Sequence, residues 1–231
     1  ITEHILNMKK RFSFLAALFF LMTFAANAQL ISERTNGKVT LGGDIFTDIN
    51  TGGKYENFNL RAINTGGDFY LTYNLKMGES KHTVSLGLGM TFHNYQLKNS
   101  YLSGAGAYAD TTFFTEKSGL KNSKLNINYF DIPIELNFRI ADKFKISAGF
   151  KFGIMMYAKS KIKGNLDGNG ITQAVKYGKI SNIEQYSYTV TLRLAYKAIN
   201  IFAQYQFNSS FKKGYGPEII PFSIGIGLRA F

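Results

Sequence analysis

From Lys38 onward, apolar residues recur at every second position, and no stretch has the 3.6-residue spacing of an amphipathic helix. The pattern is clearest near the C-terminus, where Phe222, Ile224, Ile226, Leu228 and Ala230 alternate with Ser223, Gly225, Gly227 and Arg229. The same alternation predicts eight strands, over 38–49, 66–76, 82–98, 124–140, 144–161, 184–198, 200–211 and 219–231. Val84, Leu86, Leu88, Met90 and Phe92 share one side of the third, and Ile132, Ile134, Leu136, Phe138 and Ile140 one side of the fourth. In the sixth, Tyr188, Val190, Leu192, Leu194 and Tyr196 do the same.

Alternation by itself fits a soluble sandwich, a lipocalin-like cup or a membrane barrel, since each buries one face of every strand. Three features select the barrel. Several runs reach the roughly 9–11 residues of a tilted membrane-spanning strand and exceed the roughly 5–6 typical of soluble sheets. Connections alternate between long (50–65, 99–123, 162–183) and short (77–81, 141–143 and the corner at Ala198, Ile199 and Asn200), as in bacterial barrels with short periplasmic turns. The non-apolar face carries Asp44, Glu135, Arg139, Lys151, Arg193 and Arg229 at mid-strand. A sandwich core rejects such charges, whereas a closed barrel pairs them inside and turns its apolar face to lipid. Aromatic residues then form two girdles: Phe92, Phe130, Tyr188 and Phe207 toward the loops, and Phe138, Phe144, Tyr196 and Phe231 toward the turns.

The expected fold is therefore all-β, an eight-stranded antiparallel transmembrane up-and-down β-barrel. In hydrocarbon no strand edge can stay open, so the first and last strands are expected to pair. The N-terminus adds a targeting signal. Met8, Lys9, Lys10 and Arg11 precede an uncharged apolar run, 12–24, and the small-residue ending Ala26, Asn27, Ala28. That run is shorter than the roughly 17–25 residues of a spanning helix, so residues 1–28 are read as upstream residues and a cleaved signal peptide, and 29–231 as the barrel. An even strand number then leaves both termini periplasmic, in the outer membrane of a Gram-negative cell.

The formal net charge is +12, and the leader contributes only Lys9, Lys10 and Arg11 against Glu3, so the mature chain stays basic. For an exported chain that charge points to phosphorylated lipid head groups and not to nucleic acid. The sequence contains no Cys, which excludes disulfides and thiolate metal sites.

The segment Tyr129, Phe130, Asp131, Ile132, Pro133, Ile134, Glu135, Leu136 resembles the Tyr-Leu-Glu-Ile-Pro-Leu type of segment in PorT-like outer-membrane barrels of the Bacteroidetes, small barrels of the OmpA-like kind. Pro133 donates no ladder hydrogen bond, so it is expected at a bulge or a locally unpaired position. The ending Gly225 to Phe231 is similar to the sorting signal read by the barrel-assembly machinery, with Phe231 as the terminal aromatic. Phe231 shares parity with Arg229 and Gly227, so either a bulge resets the register or it lies beyond the last pair. The resemblance implies one member tied to a secretion system, and little about chemistry.

No nucleophile motif, metal-ligand spacing or phosphate-binding loop appears, so no catalytic residue, cofactor or metal is expected. His93, inward near the loop end of the third strand, is the one candidate for a rim enzyme, clustering with Asp131 and Tyr157. A narrow pore is a further alternative, opposed by the filled interior of an eight-stranded barrel. The leading expectation is a non-enzymatic membrane anchor with external contacts to lipopolysaccharide or to another envelope protein, such as a secretion component. Lys98, Lys121, Lys124, Lys159, Lys161 and Lys163 are the candidate lipopolysaccharide contacts, with Lys117, Lys176 and Lys179 nearby. Tyr101, Tyr108, Phe113 and Phe114 in the 99–123 loop are expected either to fold over the mouth as a short hairpin or to dock a partner.

Overall fold

The computed structural model describes residues 38–166 and 170–230. The strands are β1 (Val39–Asn50), β2 (Asn64–Lys76), β3 (Thr83–Gln96), β4 (Ser100–Tyr101), β5 (Thr115–Glu116), β6 (Asn122–Ala141), β7 (Phe144–Gly164), β8 (Gln173–Gly178), β9 (Tyr186–Tyr196), β10 (Ile199–Gln206) and β11 (Pro221–Ala230). The ring runs β1, β2, β3, β6, β7, β9, β10, β11 and closes on β1, a closed antiparallel barrel of eight strands. In the closing ladder Leu41 lies opposite Ala230 and Asn50 opposite Pro221, so the expected pairing of first and last strands is present.

Burial inverts the rule of a soluble protein. Ile45 is 66 % exposed, Phe69 64 % and Ile226 55 %, while Asp44, Asp68, Glu135 and Arg193 are buried. Alternation therefore turns the apolar face of each strand outward, where it is stable only against hydrocarbon. Tyr188 and Phe207 stand exposed toward the long loops, and Phe138, Phe144 and Tyr196 toward the short turns.

The turns at 77–82, 142–143 and 197–198 are tight. Lys197 takes a left-handed φ of 52° in the last of these, and Gly78 a φ of 61° in the first. The expected seventh strand is shorter than its sequence pattern, stopping at Gln206. Beyond it the Asn208 side chain replaces the ladder, accepting from Tyr188 N at 3.0 Å and donating to Tyr186 O at 2.7 Å. Pro133 sits where the β3–β6 ladder lapses, between the pairs Leu86–Ile134 and Gly89–Asp131, which is the unpaired position its missing N–H requires.

At the long-loop end β6 and β7 outrun the other strands, and β8 extends the sheet on the far side of β7. The register shifts by one residue between the pairs Asn128–Tyr157 and Tyr129–Met155, which makes Met156 the extra residue of a bulge. Below it Lys151 and Gly153 point inward. Above it Ala158, Ser160 and Ile162 are buried, and Tyr157, Lys159, Lys161 and Lys163 turn outward.

Over the mouth, the loops make a cap that alternation did not predict. Its core joins Tyr95, Leu97, Leu125, Ile127 and Tyr129 from the wall to Phe58, Leu102, Phe114, Ile180, Ile183, Phe211 and Ile219 from the loops. Within it β4 and β5 form the short hairpin expected of 99–123, and one turn of helix, α1 (Gly104–Ala107), is capped by Ser103. Tyr55 donates its hydroxyl to the Thr112 carbonyl oxygen at 2.6 Å. Burial, with help from the Glu56 carboxylate, holds that hydroxyl above its usual pKa and keeps it a donor.

Candidate functional site

Inward positions stack in layers from the turns to the cap. Nearest the turns is an uncharged relay: Ser147 donates to Asn137, Asn137 to Ser85, and Ser85 to Asn74, each at 2.6 Å, and Asn74 donates to Thr40 at 2.9 Å. Above it, Arg193 holds Asp44 through two nitrogens at 2.7 and 3.1 Å, and Arg229 holds both oxygens of Glu135 at 2.7 and 2.8 Å. Arg193 Nε lies 3.8 Å from Glu135, linking the two pairs. The Arg193–Asp44 pair has the forked geometry that fixes both partners in position, whereas Arg229 spans the two Glu135 oxygens from one nitrogen. Tyr70 ties the layer together, accepting from Arg229 at 2.8 Å and donating to Asp44 at 3.4 Å, and Arg193 lies over the Phe202 ring at 4.6 Å. Room for the layer comes from Gly42 and Gly227. A Cβ at the first would meet the Tyr70 ring, and at the second the Asp44 carboxylate.

The next layer pairs Lys151 with Asp68 at 2.9 Å, and Lys151 also donates to Thr91 at 3.2 Å. Thr91 in turn donates to Asp131. Uppermost, Asp48 accepts from Ser223 at 2.5 Å and meets His93 Nδ1 at 2.7 Å. Tyr95 stacks on the His93 ring from the cap side, with 5.8 Å between centroids.

The structure thus brings together five of the six charges expected inside: Asp44, Glu135, Lys151, Arg193 and Arg229. It excludes Arg139. That side chain is exposed at the turn end of β6, where the inward column has run past the enclosed interior. Asp68, Tyr70, Asp48 and Asn200 belong to the interior and were missed. Parity marks all four, since Asp68 and Tyr70 flank Phe69 on the opposite face and Asp48 follows Asp44 in the same column.

The rim cluster expected around His93 forms only in part, since Asp131 lines the same interior cavity but Tyr157 does not. The partner of His93 is Asp48, and the histidine is buried beneath the cap. Tyr157 faces outward, 43 % exposed, because the Met156 bulge reverses its side.

The lysines lie on the opposite surface of the same wall. Lys124 is the register partner of Lys161, and Lys161 of Lys176, so three adjacent strands carry a transverse lysine row. Lys159 and Lys163 flank it on the same face of β7, and Lys98 follows β3 beside it. Lys121 is exposed just before β6, and Lys117 is held by the Leu166 carbonyl oxygen at 2.5 Å. Of the loop aromatics, Phe114 is buried in the cap, whereas Tyr108 and Phe113 are exposed. The leader and Phe231 lie outside the described residues, as does the role expected of each. Among the described residues no group of three or more His, Asp and Glu side chains is placed to hold a metal ion.

No protein-family model and no curated protein matches the chain. Among solved structures, it is similar to Ail, the attachment invasion locus protein of Yersinia pestis, in complex with the heparin analogue sucrose octasulfate. That match has 12 % identity and a TM-score of 0.35, over 83 % of this chain and 95 % of that one. The backbone structure of Ail in a phospholipid bilayer nanodisc matches at 13 % identity and TM-score 0.35, over 84 % and 99 %. A mutant porin of Rh. blastica matches at 9 % identity and TM-score 0.17, over 83 % and 99 %.

Proposed function

We propose that this protein is a non-enzymatic outer-membrane anchor with no transport path, working through its external surface in contact with lipopolysaccharide. The observation that carries this reading is the filled interior, polar and ion-paired through the barrel and apolar at the cap. An eight-stranded lumen is already narrow, and charges locked in buried ion pairs leave no hydrated route through it. Both termini would then be periplasmic, with the capped end outside the cell. The PorT-like segment at 129–136 supports the same assignment. Lipopolysaccharide is favoured over another envelope protein because the outward lysines are concentrated on the wall that continues upward from the lipid-facing surface.

Reconstitution in planar bilayers tests the closed lumen. The expected record shows no discrete conductance, and reproducible steps from the purified protein would overturn the reading.

A further inference from the structure

We propose that the outward face of the β6–β7–β8 extension is a binding site for the anionic sugars of an outer-leaflet glycolipid, held above its acyl-bearing end. This rests on the external contact argued above and names its chemistry.

The first ground is the register. Lys124, Lys161 and Lys176 are direct cross-strand neighbours, an arrangement in which like charges repel and weaken the sheet. No carboxylate among the described residues compensates. Among the described residues the ion pairs are Lys81–Asp142 at the turns and the buried interior set, and none includes Lys98, Lys124, Lys159, Lys161, Lys163 or Lys176. The interior satisfies its cations with carboxylates, whereas this face leaves six ammonium groups for an external anion.

The second ground is the bulge. If β7 ran through Met156 without a bulge, two-residue alternation would send Lys159, Lys161 and Lys163 inward, against Leu102 and Leu125. The bulge, in which Met156 and Tyr157 share one ladder position, puts all three on the face of Lys124. Lys159 then stands over the Tyr157 ring, 5.0 Å from its centroid, at the base of the row.

The third ground is height. On the outward face of β6, Phe130 is followed upward by Asn128, Asn126 and Lys124. At about 3.4 Å per residue and a tilt of roughly 35–45°, Lys124 stands about 15 Å above Phe130 along the membrane normal. The outer girdle marks the edge of the hydrocarbon, and asparagines fill the interval. The row is therefore placed above the lipid phosphates nearest the acyl chains, level with the first sugars of the head group. Their phosphates and carboxylates are the complementary charges.

Binding to the refolded protein in detergent separates the possibilities, with three probes: soluble core oligosaccharide released from lipopolysaccharide, lipid A without core sugars, and phosphatidylglycerol vesicles. The expected result is saturable oligosaccharide binding that weakens with salt and exceeds binding to either other probe. The K124Q/K161Q/K176Q triple variant should lose about a hundredfold, from a factor of roughly five per lysine. The K212Q/K213Q variant, in the 207–220 loop, should bind as wild type. Because the substitutions relieve repulsion, the triple variant should still migrate differently unboiled and boiled on a denaturing gel, the shift expected of a folded barrel, which checks folding. Equal binding of lipid A, equal binding of the vesicles, or a folded triple variant with wild-type affinity would each overturn the site. A conducting pore would sink the closed-lumen reading and leave these measurements untouched, so the two failures are distinguishable.

Discussion

Below Asp48 the residues pointing into the barrel are mostly polar and joined by ion pairs and hydrogen bonds, whereas above it the same wall turns Tyr95, Leu125, Ile127 and Tyr129 inward, and different forces hold the two halves. In the lower half the outward face is already satisfied by lipid, so packing inside must come from directed pairs, and each ion depends on its partner. The upper half stands clear of hydrocarbon, and there an ordinary apolar core forms between wall and loops. One ladder therefore passes from a membrane protein's logic to a soluble protein's, and the crossover falls at the His93–Asp48 pair. A defect below should be felt by the whole barrel, and a defect above should stay local.

The largest effect is expected from Glu135→Ala, which leaves Arg193 and Arg229 sharing one remaining carboxylate. A loss of about 3–5 kcal/mol is expected for removing one member of a buried network. Urea titration in lipid vesicles should show the gel-shifted form disappearing at lower denaturant, and an unchanged midpoint would remove the distinction between the halves. Phe114→Ala, in the cap, should cost about 3 kcal/mol, but locally. Limited proteolysis should cut the 97–121 loop faster while the barrel's urea midpoint holds, and a midpoint shift matching that of Glu135→Ala would merge the two regions. Arg139→Gln should change stability by less than about 0.5 kcal/mol, because its side chain belongs to neither region. A larger loss in the same titration would return Arg139 to the network.

The lower half was legible in the sequence because two-residue alternation is a strict geometric consequence of the strand, and charges at Asp44, Glu135, Arg193 and Arg229 are tolerated only where they meet one another. Arg139 continues that column, and alternation does not mark the height at which enclosure ends. The upper half was opaque for two reasons. Its core is assembled from Phe58, Leu102, Ile180, Ile183 and Ile219, which lie in segments without a period, so no local rule shows them converging. The bulge at Met156 was hidden because Ile154, Met155, Met156 and Tyr157 are all large and apolar, and a run without polar punctuation does not reveal where parity changes. That one residue explains why Tyr157 is absent from the surroundings of His93. It also explains why Lys159 and Lys161, within the expected fifth strand, and Lys163, just beyond it, face outward.

Closure of β1 on β11 sets an order of events in time. Asp44, near the beginning of the described chain, is bonded to Arg193, and Glu135 waits for Arg229 on the final strand. No growing chain can complete this interior, since the last cation to arrive is carried by the last strand. Until then Glu135 lacks the Arg229 cation and β1 has an open edge. Such an intermediate has an unpaired strand edge and an incomplete ion network, and both are costly in hydrocarbon. The seam is therefore a completion check, satisfied only when β1 and β11 are both in place.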